Sequence, residues 1–381
     1  LKETSKDRKE EFHGMMLQLK WKMRSPALSA TLAILLAACG LVSARHTLAQ
    51  EASQASTSAP AATPAGSPAS SEAKVYPQWN EDLAAWRAAR EREIGAPDGW
   101  LTLIGMEWLN SGVNSIGAAK DNKIQVHAQA PDHFGLITVS GGADSAKSHK
   151  GKPQSDAAPT SQPQNAPIIQ LLSPAGGFPP DLLVDGKPAR EGQLTVEGPS
   201  PSVISWHGVT IVVLNRGGRY AVRIKDSGTP ARTGFKGLNW YAPDPHFRLK
   251  AVWTPFLPEQ IEKIPTIIGT TLDLPSPGYA EFVLDGKPYR LQPVLEDPER
   301  KTLFFILSDV TSSIATYGMA RYLHTGLPDH GLDKPGLLVL DFNLLENPPC
   351  AYSSYATCPQ PPQQNQLPVP LEAGEKIYGQ Q

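Results

Sequence analysis

Residues Val209–Lys225 read VTIVVLNRGGRYAVRIK. An apolar run leads into Gly217-Gly218, and an alternating Tyr-Ala-Val-Arg-Ile-Lys run leads out. Only glycine takes positive φ freely at both central positions of a tight turn, so this pattern predicts an antiparallel hairpin. Glu281–Leu284, Asp285-Gly286 and Tyr289–Val294 predict another. The string VDGKPAR at Val184–Arg190 echoes LDGKPYR at Leu284–Arg290, which reads either as an internal duplication or as recurring turn chemistry.

Working outward, short strands are expected at Lys123–Ala128, Leu136–Ser140, Ile168–Leu172, Gln193–Val196, Val203–Trp206, Thr302–Ser308 and Leu337–Asp341. Asp98-Gly99 reads as a turn, and the apolar run from Trp100 to Leu109 as a buried strand. Trp79, Leu83, Trp86 and Ala89 recur at helical spacing, which predicts a helix over Pro77–Ile94, stopped by Gly95-Ala96-Pro97. A short helix is expected at Ser313–Tyr322, with Asp309 as its cap. The fold class is therefore mainly β: an antiparallel β-barrel or β-sandwich with an N-terminal helix and an extended Pro-rich C-terminal strap.

Composition agrees with this class. The chain has 381 residues, with Gly 32, Pro 37, 19% charged residues and a net charge of -2. So little charge and so many helix breakers argue against a bundle or coiled coil. No basic excess exists to neutralise phosphates, which excludes a general nucleic-acid binder. Neither a Gly-rich dinucleotide or phosphate loop nor a Gly-x-Ser-x-Gly elbow occurs.

The N-terminal part reads as an export leader. Residues 1–22 are polar and are not expected in the mature protein; Met23 is the better start. Lys22 and Arg24 precede the apolar run Ala27–Ala38, which is shorter than the about 20 residues a bilayer span needs. Leu36-Ala37-Ala38-Cys39 resembles the lipobox of bacterial lipoproteins, so residues 23–39 are expected to be a signal peptide with Cys39 as the lipidation site. The alternatives are ordinary signal cleavage, giving a soluble periplasmic protein, and an unprocessed chain. Residues 40–75, rich in Ala, Ser and Pro, read as a flexible tether. Residues 76–378 read as one β-rich domain, with a disordered insertion at 141–167. The expected address is the cell envelope, facing the periplasm.

The last third holds the densest set of distinctive polar residues. Beyond Asp309, Tyr317 and Arg321 it carries Asp341-Phe342-Asn343, Asn347-Pro348-Pro349-Cys350-Ala351, Cys358-Pro359, Asn365 and Ala373-Gly374-Glu375-Lys376. Together with Asp98–Leu103, Arg216-Gly217-Gly218-Arg219, Arg223 and Phe235–Leu238, these resemble the bacterial and archaeal family known as domain of unknown function 1684, over about Tyr76 to Tyr378. That resemblance sharpens domain limits but implies no reaction.

The residues themselves allow two readings of the tail. In one, Pro348–Pro370 is a strap over the β structure, and Asn343, Asn347 and Asn365 satisfy backbone groups along it. In the other, a pocket lies under the strap. Asp309, Asp341 and Glu375 would then be catalytic acids or bases. Arg216, Arg223, Tyr317, Arg321, Asn343, Asn347 and Asn365 would hold a ligand. Trp100, Trp108, Trp240 or Tyr241 could line such a site. An oxidising envelope permits a Cys350–Cys358 disulfide; the alternatives are structural thiols or a reactive thiol. No Cys-x-x-Cys or His-x-x-x-His spacing points to a metal, and no cofactor is expected. The functional expectation is an envelope-anchored binding or structural module for a small molecule or envelope component. The alternative is a metal-independent hydrolase using the tail carboxylates.

Overall fold

The Gly217-Gly218 hairpin forms as its sequence predicts. Both glycines have positive φ, 60° and 81°, and strands Val209–Arg216 and Arg219–Asp226 pair antiparallel from Val209↔Asp226 to Arg216↔Arg219. The computed structural model describes residues 77–141, 166–196 and 200–379. The leader, Cys39, the tether and most of the 141–167 insertion lie outside the described residues.

Four sheets arise. A six-stranded sheet runs in the order Leu103–Trp108, Arg219–Asp226, Val209–Arg216, Val203–Trp206, Leu183–Val184, Lys187–Pro188. A five-stranded sheet runs Ile124–Gln125, Gly112–Gly117, Gly135–Ser140, Ile168–Leu172, Gly192–Gln193. Inward residues of these two sheets, among them Ile116, Ile137, Ile169, Ile204, Ile211 and Val222, share one core. The fold is thus mainly β, and sheets facing across apolar cores fit a sandwich.

The second core is built by a four-stranded sheet, Lys287–Leu291, Thr271–Leu284, Arg248–Pro265, Gly336–Asp341, facing the pair Leu303–Leu307 and Arg321–Thr325. All of Leu303–Leu307 is buried. Because strand side chains alternate, Leu303, Phe305 and Leu307 enter the core with Trp253 and Phe282. Phe304 and Ile306 enter a neighbouring cluster with Tyr322, Ala356 and Cys358 on the opposite face. The C-terminal strap adds Leu367, Val369, Leu371 and Ala373 to the first of these cores. Residues 368, 370 and 372 between them are exposed, so the strap is extended with one face inward.

The helix spans Pro77–Ile94 as expected, but its buried face is Leu83, Arg90 and Ile94; Ala89 is exposed. Both Asp-Gly repeats make the same turn, with positive φ at Asp185, Gly186, Asp285 and Gly286. The expected helix at Ser313–Tyr322 does not form. Ser313 has φ 66°, Ser312 bridges Thr316, and Arg321 opens a strand paired with Leu307. The Trp100–Leu109 strand is also shorter than expected. Its first three residues, Trp100–Thr102, form a 3-10 turn, and the strand begins at Leu103.

Trp253 is fully buried and its indole N–H donates to the Leu332 carbonyl at 3.0 Å. Trp253→Ala is expected to cost about 3–5 kcal/mol of unfolding free energy, and Trp253→Phe less than half of that, measured by denaturant unfolding.

Candidate functional site

The tail is fastened residue by residue. Asn365 donates to the carbonyls of Gln292 and Ile306, at 2.8 and 3.0 Å, and its Oδ1 accepts the Gln292 amide at 2.8 Å. Asn343 does the same for Asp244, accepting its amide at 2.9 Å and donating to its carbonyl at 2.8 Å. Asn347 donates its side-chain amide to the Lys376 carbonyl at 2.8 Å. Each asparagine therefore stands in for a backbone partner where the irregular chain lacks one.

Two buried cations organise the rest. Arg321 is 0% exposed. Its Nη1 lies 2.9 Å from Asp309 Oδ2 and 2.8 Å from the Leu371 carbonyl, and its Nη2 donates to the carbonyl of Ala373. Burial lowers the Arg321 pKa, and Asp309 opposes that shift. Asp309 caps no helix. Its Oδ1 accepts from the Thr311 amide and hydroxyl, at 2.8 and 2.7 Å, and from the Leu371 amide at 3.1 Å.

Arg90 reaches in from the helix. Its Nε lies 3.1 Å from Glu375 Oε1 and 3.3 Å from Glu346, and Nη2 donates to the Asn347 carbonyl at 3.0 Å. Burial works against the Arg90 charge, but Glu346, Glu375, Tyr352 and Glu93 together outweigh it and raise the pKa. Glu375 is 1% exposed and its Oε2 accepts from the Asn347 amide and the Tyr352 hydroxyl, at 2.8 and 2.6 Å. Burial pushes the Glu375 carboxyl above the ordinary range, opposed by Arg90, Tyr352 and the Asn347 amide.

Asp341 is closed in its own cluster. Its Oδ2 accepts from Trp79 Nε1 at 2.6 Å and lies 3.4 Å from Arg248 Nε, and its Oδ1 accepts from Asn343. The three carboxylates thus occupy separate, paired, buried environments and do not converge on an open cavity.

The remaining residues expected to hold a ligand are dispersed. Arg216 and Arg223 belong to the six-stranded sheet; Arg216 donates to Thr357 Oγ1 and the Asn215 carbonyl, and Arg223 lies over Trp100. Tyr317 donates to the Cys350 carbonyl at 3.1 Å. Cys350 and Cys358 stand here as neighbouring thiols: the Cys358 sulfur turns onto the Cys350 amide and accepts it at 3.0 Å. Arg90, Glu346 and Tyr352, which the sequence did not single out, complete the network; their partners lie far away along the chain.

An open cavity of about 690 Å³ lies beside the strap, walled by Asn239, Trp240, Tyr241, Ile314, Ala315, Glu372, Lys376 and Ile377. Backbone bonds tie its walls together: Tyr241 to Gly374 at 3.0 Å, Lys376 to Asn239 at 2.8 Å, and Ile377 to Ala315 at 2.9 Å. Trp240 is fixed from behind, its indole donating to Glu91 Oε1 at 3.0 Å with Trp86 edge-on at 5.6 Å. The Lys376 ammonium lies 4.7 Å from the Tyr241 ring centre, and Ile314 is 74% exposed. Burial raises the Tyr241 pKa.

Residues 233–376 match the model of a family described as "Protein of unknown function (DUF1684)", which places this segment in that family. The segment includes Arg321, Glu375 and most of the cavity. A solution NMR structure of an uncharacterized protein from gene locus rrnAC0354 of Haloarcula marismortui is 30% identical, covering 40% of this chain and 83% of that one, with a TM-score of 0.34. No curated protein matches the chain.

The raised Glu375 pKa makes a signed prediction. A carboxyl with a raised folded pKa stabilises the fold below its unfolded value, about 4.3, and that contribution is lost as pH rises through the folded value. Wild type should therefore hold its largest stability margin over Glu375→Gln in acid, shrinking toward neutral pH, as followed by denaturant unfolding across pH. A margin that grows with pH would mean that Arg90 and the donors dominate the desolvation.

Proposed function

We propose that this protein is an envelope-anchored binding module. A lipid on Cys39 would hold it to the membrane, facing the periplasm, and the cavity beside the C-terminal strap would take a small molecule or an envelope component. The observation that carries this reading is the contrast between the tail and the cavity. Asp309, Arg321, Asp341 and Glu375 are buried in their own pairings, so they are committed to the fold. The neighbouring cavity is open, with Trp240, Tyr241 and Ile314 as apolar surface and Lys376 and Glu372 as polar groups. Concave sites with aromatic walls and a few convergent polar groups are the usual form of a small-molecule site. The hydrolase alternative needs Asp309, Asp341 and Glu375 around one accessible space, and their buried pairings speak against it.

The test uses the full-length protein purified from membranes of its own host, with native mass spectrometry of what it carries and thermal shift against fractionated envelope extract. One fraction is expected to bind and raise Tm, with Tyr241→Ala weakening the binding roughly tenfold or more. Binding unaffected by Tyr241→Ala and Lys376→Ala would move the site elsewhere. No binding by any fraction would contradict the module reading.

A further inference from the structure

Cys350 and Cys358 lie at the seam between the tail and the second half of the β structure. Cys358 is buried in the cluster of Phe304, Ile306 and Tyr322, and Cys350 packs on the same cluster from a half-exposed position. The Cys358 sulfur accepts the Cys350 amide at 3.0 Å, and both backbones have further ties that do not involve a sulfur. The Cys350 carbonyl accepts from Tyr317, and Pro349–Ala351 form a 3-10 turn. The Cys358 carbonyl accepts from Ile267 at 3.0 Å, and Pro359, next along the chain, bridges Thr266 and accepts from the Tyr322 hydroxyl at 2.8 Å. The connection between the two strands Arg248–Pro265 and Thr271–Leu284 therefore holds one sulfur, and the 3-10 turn holds the other.

We propose that Cys350 and Cys358 are a redox-active pair: a disulfide-bearing oxidant converts them into an intrachain disulfide, with Cys350 as the attacking sulfur and Cys358 as the resolving one, and the bridge locks the tail to that strand connection. In the first step the Cys350 thiolate attacks a sulfur of the oxidant, forming a mixed disulfide and displacing one thiolate. In the second, Cys358 gives up its proton and attacks the Cys350 sulfur, displacing the other thiolate. Two electrons and two protons leave the pair, and the oxidant ends as two thiols.

The order of attack follows from the surroundings. Cys350 is the more accessible sulfur. The Cys358 thiol and the Tyr317 hydroxyl beside it stabilise its thiolate and lower its pKa against the opposing effect of burial. Cys358 is held protonated by its role as donor to Cys350 and by burial, which both raise its pKa. The less buried thiol, with the lowered pKa, attacks first, and the buried, protonated one resolves. The bridge would close the loop that carries Tyr352, whose hydroxyl reaches Glu375. The oxidised form thus secures the cover over the Arg90–Glu375 pair.

This inference goes beyond the binding reading. Export would supply an oxidising compartment, but the test supplies the oxidant directly, so failure of the export reading leaves the outcome intact. The full-length protein is incubated with excess oxidised glutathione. Peptide mass spectrometry under non-reducing conditions is expected to find Cys350 and Cys358 joined, native maleimide labelling of Cys350 should be lost, and labelling of both after denaturation should be lost. Tm should rise by roughly 5 °C on oxidation and fall back with dithiothreitol. Cys358→Ser should trap glutathione on Cys350 as a stable mixed disulfide, whereas Cys350→Ser should leave Cys358 unmodified while folded. Circular dichroism confirms that each variant is native. Both thiols still free after oxidation, a bridge from either to Cys39, or faster native modification of Cys358 than of Cys350 would overturn the proposal.

Discussion

A guanidinium with no exposed surface is the constraint from which the C-terminal half is organised. Burying the Arg321 charge requires an opposite charge and acceptors at its two terminal nitrogens, because an unpaired buried ion costs several kcal/mol; its Nε is left without a hydrogen bond. Asp309 supplies the opposite charge, and the carbonyls of Leu371 and Ala373 supply acceptors. Those carbonyls belong to the strap, so the strap is required to pass over Arg321. Once there, its alternate side chains Leu367, Val369, Leu371 and Ala373 complete the core beneath. Apolar burial holds the strap down, and the charge sets where it lies.

The same logic ties the N-terminal helix to the far end of the chain. Arg90 would be a liability at a buried helix position without Glu375 and Glu346, and Glu375 would be one without Arg90, Tyr352 and the Asn347 amide. Trp79 adds a second tie, to Asp341. The helix and the C-terminal tail are thus joined at two polar clusters. Those clusters explain why so many distinctive polar residues crowd the tail. The open surface lies next to it, where Trp240 and Tyr241 face Ile314 and Lys376.

Local turn chemistry made the short hairpins readable in the sequence. Gly217-Gly218 and Asp285-Gly286 require positive φ, and both have it. The long pairing of Arg248–Pro265 with Thr271–Leu284 was hidden by prolines at 255, 258, 275 and 277, which normally argue against a strand. The chain accommodates them with a register shift between Pro255 and Gln260. The helix expected at 313–322 yields to the pairing of Arg321 with Leu307 and to the left-handed turn at Ser313. Asparagines 343, 347 and 365 were legible as backbone partners along a strap. Arg90 was not, because nothing within a helical charge run announces a carboxylate 285 positions away.

The central claim is that the strap belongs to the core rather than lying loosely upon it. Native-state hydrogen exchange tests this at the amides of Leu367, Leu371 and Glu375, which donate to the Ser308 carbonyl, Asp309 Oδ1 and the Leu345 carbonyl. The account predicts that they exchange only through global unfolding, with the same protection as the amides of Phe305 and Leu340. Rapid exchange of these three through local opening, while the sheet amides stay protected, would contradict it.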